Sequence, residues 1–346
     1  MEAPQSNKAC VICGSEAAKK RFVVTERQLG LGEKFTYLQC SKCGCLQIES
    51  IPKDMEKYYQ GDSYYSMSLS SRGNLVRLLN ALRYSHRIRS LTGWSWNPYY
   101  MLGAMVESVL PLDKALFLKF GLIHKGDRIL DVGSGVGELL YYMKSQGFPD
   151  VQGVDLYVPD DIEYPNGLRI TKGEVSDLPP ESQFDVIMFN HSLEHVADPR
   201  KALISAGRLL ADDGKVIVRL PTAYYAWKTY RENWFQIDAP RHYWIPTVDS
   251  MRILAHNAGF ELVESIFDSS YAQFIVSQQY ENGVSMADGR SFSRNVIKSL
   301  ADLPRILHYQ RLAKQLNAEG RGDQCIFVLQ RSITSTLPSA SGMNYS

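Results

Sequence analysis

Three groups of residues in this chain of 346 have types and spacings that could do chemistry. The first is Asp131-x-Gly133-Ser134-Gly135-x-Gly137, where an apolar run starting at Ile129 breaks into alternate glycines. Glycine takes backbone angles that other residues avoid and lets a ligand approach the main chain. The pattern therefore reads as a buried strand entering a nucleotide-binding turn. A second apolar run, Val151 to Leu156, places Asp155 roughly 20 residues after the glycines, the spacing of a ribose-binding carboxylate. The second group is His191-Ser-Leu-Glu194-His195, joined later in the chain by His242. Histidine, with an ordinary pKa near 6.5, suits proton transfer at neutral pH. The third group is Cys10-x-x-Cys13-Gly14 and Cys40-x-x-Cys43-Gly44, two copies of one small unit. Four such thiolates make a closed tetrahedral zinc site. Cys45 leaves a Cys-x-Cys choice of ligands open beside Cys43, and Cys325 sits in an apolar run as a core residue.

These groups need elements to position them. Val136, Leu139, Leu140 and Met143 fall on one helical face directly after the glycine turn, and Gly147 stops that helix. Strands are expected at Arg128–Val132, Val151–Leu156, Leu168–Lys172, Asp185–Asn190 and Lys215–Leu220. Between the last two, Asp198 caps a helix whose first residue is Pro199. Thr247 caps a further helix that Gly259 ends; Phe260–Phe267 and Cys325–Gln330 supply strands six and seven. The expected fold is α/β: a doubly wound, Rossmann-like seven-stranded parallel sheet with a small N-terminal zinc ribbon. In the ribbon, Phe22 to Thr25 and Lys34 to Leu38 read as a hairpin between the cysteine pairs. The expected organisation is a zinc-ribbon-like domain over 1–60, a helical connecting segment over 61–125 and the sheet domain over 126–331. An insertion over 268–322 carries a helix from Arg294 to Leu316, and the tail over 332–346 is Ser- and Thr-rich and expected to be disordered.

The glycine pattern alone fits two kinds of ligand. A dinucleotide turn carries its third glycine at position 138, where this chain has Glu138. A negative side chain at that helix N-terminus repels a pyrophosphate. The arrangement instead resembles the first motif of class I S-adenosylmethionine-dependent methyltransferases. Further segments carry the resemblance in order over residues 127–265. They are Asp155-Leu156, Gly173-Glu174-Val175-Ser176-Asp177-Leu178-Pro179, Phe184-Asp185 through Asn190-His191, and Leu209-Leu210 to Gly214. The resemblance implies that Asp131, Gly133, Ser134, Gly135, Gly137, Asp155, Leu156, Glu174, Val175 and Asn190 hold S-adenosylmethionine. Glu174 stands where the family more often has Asp. His191, at the exit of the fourth strand, is the first candidate for the base that deprotonates the acceptor. Glu194, His195 and His242 are the other candidates.

His191-x-x-Glu194-His195 also matches a zinc-peptidase string, in which two histidines one turn apart on a long helix share a metal. Here the string follows an apolar strand and Pro199 soon interrupts it, which argues against the peptidase.

Pro221 to Pro246 is rich in aromatics and holds Asp238-Ala-Pro240-Arg241-His242. Leaving the ligand-binding edge of the sheet, it could roof a site, its aromatic faces against a sugar ring and Arg241 against a phosphate. With the paired cysteines, Tyr58-Tyr59 and Tyr64-Tyr65, this looks like bacterial methyltransferases of sugar and surface-polysaccharide pathways. The resemblance implies O- or C-methylation of a nucleotide-linked or lipid-linked sugar or glycan. Two other readings stay open: an RNA methyltransferase whose zinc ribbon grips RNA, and a non-catalytic cofactor-binding scaffold. The net charge of +1 argues against nucleic acid. No apolar run of 18 residues or signal core is present, so a cytoplasmic location is expected. The arginines and leucines of 72–89 form a basic amphipathic stretch that can touch a membrane surface or pack on the main domain.

Overall fold

The computed structural model describes residues 9–16, 19–59, 117, 120–292 and 302–332. Most of the expected connecting segment, including the basic stretch 72–89 and Tyr64-Tyr65, lies outside them, as do 333–346.

Strand β4 (Ile129–Val132) is buried at all four positions, as a strand covered on both faces must be. It pairs in parallel with β5 (Val151–Asp155) on one side and β8 (Phe184–Asn190) on the other. Beyond β5 lie β7 (Arg169–Lys172) and the two-residue β6 (Ile162–Glu163); beyond β8 lie β9 (Leu210–Pro221), β12 (Gln324–Arg331) and β11 (Phe260–Phe267). The chain thus runs outward one way from β4 and returns to run outward the other way. The crevice at the C-terminal ends of β4 and β8 is the switch point where open α/β sheets bind ligands.

Three expectations change. The sheet has an eighth strand, β6, which folds back antiparallel on β7. It is also mixed, because β12 is antiparallel to both β9 and β11. The long excursion between β11 and β12 delivers β12 from the opposite end of the sheet. Helix α6 of that excursion spans Leu303–Ala318, with Pro304 in its first turn; it runs two residues past the expected Leu316 end, and residues 294–301 of the expected helix lie outside the described residues. Its companion α5 (Ala272–Glu281) had no expected counterpart; its buried face packs Phe274 flat against Tyr309 of α6.

Local signals set the other helices. Helix α1 (Glu138–Ser145) starts at Gly137. Helix α2 (Pro199–Leu209) is capped by Asp198, whose carboxylate accepts from Lys201 N at 2.9 Å, worth about 1 kcal/mol. Helix α4 (Val248–Asn257) has a reciprocal Thr247–Ser250 box. The intervening α3 (Tyr225–Tyr230) opens the aromatic segment.

The cysteine-rich unit is a second sheet: β1 (Lys19–Thr25), β2 (Lys34–Cys40), β3 (Leu46–Ile48) and β10 (Trp244–Ile245). The hairpin begins at Lys19, earlier than Phe22. Its fourth strand comes from the aromatic segment, pairing Trp244 with Gln47 and Ile245 with Leu46. Most of that segment is therefore core. Trp227, Trp234 and Trp244 are at most 1% exposed. Phe22 stands edge-on to Trp227 at 4.8 Å, and Trp234 Nε1 donates to buried Asp323. Among the described residues, no helix is long and apolar enough to cross a membrane.

Candidate active site

A cavity of about 410 Å³ opens at the switch point, and Gly133, Asp155, Glu174, His191, His195 and Tyr243 are among the residues that line it. Gly133 has φ +76°, and a Cβ there would stand 2.4 Å from Ser192 Cβ. Gly137 has φ +77°, and a Cβ there would meet Ile170 at 2.6 Å. Both positions need glycine for conformation and for space.

Asp155 is buried at the end of β5. Its Oδ2 accepts from Gly135 N and its Oδ1 from Tyr157 N, both at 2.8 Å. The carboxylate therefore orders the glycine turn, and each oxygen keeps a second lone pair for a ribose hydroxyl. Asp131 is 4% exposed, and its Oδ1 has no hydrogen-bond partner. Burial, with the nearby Asp155 charge, raises its pKa to about 8. An orphaned buried acid beside a glycine cradle fits a cationic, phosphate-free ligand. Glu174 caps a short 3-10 turn, Val175–Asp177, in a reciprocal box with Asp177. Leu156 and Val175 line the same cavity, whereas Ser134, Gly135 and Gly137, expected to hold the cofactor, are not among its lining residues. Asn190 is turned away, its Oδ1 3.4 Å from Arg219 Nη1.

His191, on the cavity wall, sits in the left-handed region at φ 55°. Its backbone N donates to Arg219 O at 2.8 Å, which holds the turn that brings the ring to the cavity wall. Its Nδ1 lies 3.4 Å from Glu194 Oε1. Glu194 is wholly buried behind it. Burial opposes its charge, but His191, His195 and His242 outweigh that and hold its pKa at about 2. His195 lines the cavity; burial and the neighbouring His242 lower its pKa to about 4, so it is a neutral imidazole. His242 is 6% exposed and does not reach the cavity wall. Its Nδ1 donates to Gln236 O at 2.7 Å.

Arg241, expected to meet a phosphate, is instead forked onto Asp238, with Nη2 2.6 Å from Oδ2 and only 11% of its side chain exposed. The cation that does line the cavity is Lys201, on the first turn of α2. Tyr59 stacks on Tyr157 with ring centroids 5.0 Å apart, and with Tyr243 they form the aromatic part of the wall. Sequence reasoning missed Tyr157 and Lys201. Tyr157 follows Asp155 by two residues, a position next to the cofactor acid; Lys201 carried no signal beyond its place near the Asp198 cap.

The second cluster lies away from this cavity. The sulfurs of Cys10, Cys13, Cys40 and Cys43 all lie within 4.8 Å of one another. Cys10–Cys43 and Cys13–Cys40 are 3.6 and 3.7 Å apart. Tetrahedral thiolates around an ion at about 2.3 Å stand about 3.8 Å apart, so the four could hold one. Cys45, fully buried, directs its thiol at the Leu46 carbonyl and is not among the four clustered sulfurs.

Residues 110–265 match a family model described as a methyltransferase domain. Among curated proteins, the chain is similar to the ubiquinone/menaquinone biosynthesis C-methyltransferase of Francisella philomiragia. The two are 26% identical over 174 residues, 41% of this chain and 70% of that one. Among solved structures, it is similar to the 1,6-didemethyltoxoflavin-N1-methyltransferase of Burkholderia thailandensis with bound 1,6-didemethyltoxoflavin and S-adenosylhomocysteine. There the identity is 15%, the coverage 85% of this chain and 97% of that one, and the TM-score 0.39. An S-adenosylmethionine-dependent methyltransferase from Mesorhizobium loti is 15% identical, covering 63% of this chain and 98% of that one, at a TM-score of 0.40.

Proposed function

We propose that this chain, an S-adenosylmethionine-dependent methyltransferase with its methyltransferase domain over residues 110–265, methylates a sugar or glycan intermediate. The acceptor atom is an oxygen or a carbon, and His191 is the base. The observation that carries this reading is one cavity lined by Asp155 and Gly133 as well as by His191, with the stacked Tyr59–Tyr157 pair and Tyr243 on its wall. Aromatic faces in a concave site suit the apolar face of a sugar ring. Lys201 gives the same wall a point charge for a phosphate of a nucleotide-linked or lipid-linked substrate.

The cofactor supplies a methyl group activated on a sulfonium. Asp155 and the glycine turn would hold the ribose, with Glu174 at the adenine side and Asp131 countering the cofactor's positive charge. What remains for the protein is orientation and proton removal. His191 would take the proton that the acceptor gives up on transfer. Glu194, 3.4 Å behind it, stabilises the imidazolium that forms. We also propose that Cys10, Cys13, Cys40 and Cys43 hold one structural zinc, since four thiolates leave no open position for catalysis.

The test is a screen with methyl-labelled cofactor against nucleotide-linked sugars, lipid-linked glycans, RNA and a crude metabolite extract. Label in the sugar or glycan fractions supports the reading. Label confined to RNA or to a non-sugar metabolite overturns it.

A further inference from the structure

We infer that Glu194, His195 and His242 form a second metal site, for a divalent transition-metal ion, at the cavity wall. A ring nitrogen of each histidine and a carboxylate oxygen of Glu194 lie within 4.8 Å of one another. His242 Nε2 is 3.9 Å from Glu194 Oε1, and the two imidazole rings meet edge to face with centroids 4.8 Å apart.

The protons of both histidines are already placed. His242 Nδ1 lies 2.7 Å from the Gln236 carbonyl oxygen, and His195 Nδ1 lies 2.8 Å from that of Arg241. A carbonyl only accepts, so Nδ1 carries the hydrogen in each ring and Nε2 carries the lone pair. Metal-ligating histidines are oriented in this way, with the non-ligating nitrogen donating to a carbonyl or carboxylate.

Glu194 is the independent observation. It is completely buried, and neither carboxylate oxygen makes a well-formed hydrogen bond; His191 Nδ1 approaches Oε1 only to 3.4 Å. A buried carboxylate without donors is costly. A cation between it and two imidazole lone pairs removes that cost. Asp238 Oδ2 is 3.7 Å from His242 Nε2, but the Arg241 fork neutralises it. His191 is not one of the three donors, so an ion here leaves it on the cavity wall.

The donor set determines the class of ion. Two imidazoles and one carboxylate suit Mn²⁺, Fe²⁺, Co²⁺ or Zn²⁺ rather than the oxygen-seeking Ca²⁺ and Mg²⁺. Three protein donors leave a position for water or an acceptor oxygen. His195 belongs both to this cluster and to the cavity wall, so the ion borders the place where the acceptor is deprotonated. The His-x-x-Glu-His string thus contributes only its last two residues, and the third ligand comes from 47 residues beyond His195. The inference does not depend on which acceptor the enzyme uses.

The test uses the full-length protein, treated with chelator and desalted, then titrated with Mn²⁺ while electron paramagnetic resonance follows the free ion. Thiolates are poor Mn²⁺ ligands, so this readout is blind to the four-cysteine cluster. One Mn²⁺ per chain is expected. Glu194→Gln and His242→Gln should each weaken it at least tenfold. In parallel, Zn²⁺ loading followed by elemental analysis should count one more ion in the wild type than in Glu194→Gln. The site is overturned if the wild type takes up no Mn²⁺ and its zinc count equals that of Glu194→Gln. It is equally overturned if Mn²⁺ binds but neither variant weakens it.

Discussion

The Tyr37 hydroxyl donates a hydrogen bond of 2.7 Å to the backbone carbonyl of His242, 205 residues further along the chain. Tyr37 belongs to the cysteine-rich sheet, and His242 lies against His195 of the cavity wall. The bond is buried, and two others run beside it: Ile48 N donates to Tyr243 O, and Tyr243 N donates to Glu194 O, each at 2.8 Å. Thr247 Oγ1 adds a fourth link to the Cys43 carbonyl. The cysteine unit is thereby tied to the elements that carry Glu194 and Tyr243.

Loss of metal from the four cysteines should therefore reach the catalytic end. Protein purified without added zinc should contain a tightly held zinc ion, measured by elemental analysis. Cys40→Ser should lower both the melting temperature and turnover, because β2 and β3 lose their anchor next to β10. Zinc-free protein with freely titratable thiols and an unchanged melting temperature would contradict this.

Asp155→Ala should weaken S-adenosylmethionine binding by about 1.5–3 kcal/mol, roughly ten- to 150-fold in Kd. The carboxylate holds Gly135 N as well as the cofactor's expected ribose position, so the turn loosens along with the direct bonds. Titration calorimetry on the folded variant measures it; unchanged affinity would remove Asp155 from the site.

Asp131 gives a pH dependence with a definite sign. Its pKa is about 8 in the folded protein against an ordinary value of 3.8. The folded state thus holds the proton more tightly than the unfolded one. Its contribution to stability is complete below about pH 4 and is lost as pH rises through 8. Asp131→Asn should flatten that limb of a stability–pH curve from chemical denaturation. A positively charged cofactor favours the ionised carboxyl, so binding near pH 7 should release a proton. Calorimetry in two buffers of different ionisation enthalpy reads this release directly.

His191→Gln should lower turnover by roughly 10²–10⁴-fold and leave cofactor affinity nearly unchanged. A base acts in the transition state, whereas the glycine turn and Asp155 act in binding. Near-normal turnover in the variant on a verified acceptor would leave orientation alone as the source of catalysis.

Arg219→Ala should cost about 3–5 kcal/mol of stability. Its Nε lies 2.7 Å from Asp268 Oδ2, both side chains are 2% exposed, and removing the cation strands a buried carboxylate. Denaturant unfolding measures the loss. A smaller penalty is expected for the double change Arg219→Met with Asp268→Leu, which removes both charges.

Much of this protein could be read in order along the chain. The glycine turn, Asp155, the Asp198 and Thr247 caps and the seven main strands depend on local properties. Buried strands need continuous apolar runs, φ above zero favours glycine, and caps need a short acceptor side chain. The cysteine pairs were legible for the same reason, since a tetrahedral site demands close spacing within each pair. Other features depend on contacts that spacing does not encode. The aromatic segment has the composition of a substrate roof, but Trp244 and Ile245 complete the cysteine-rich sheet, because β3 exposed an unpaired edge. Arg241 had the type of a phosphate ligand, but Asp238 was close enough to bind it first. The sequence ranks His191 first among the four histidine and glutamate candidates but does not show how they meet. A positive φ at His191 brings one ring to the cavity, and the three-dimensional return of residue 242 places another against Glu194. Only packing brings groups so distant in sequence to within a few ångströms of one buried carboxylate.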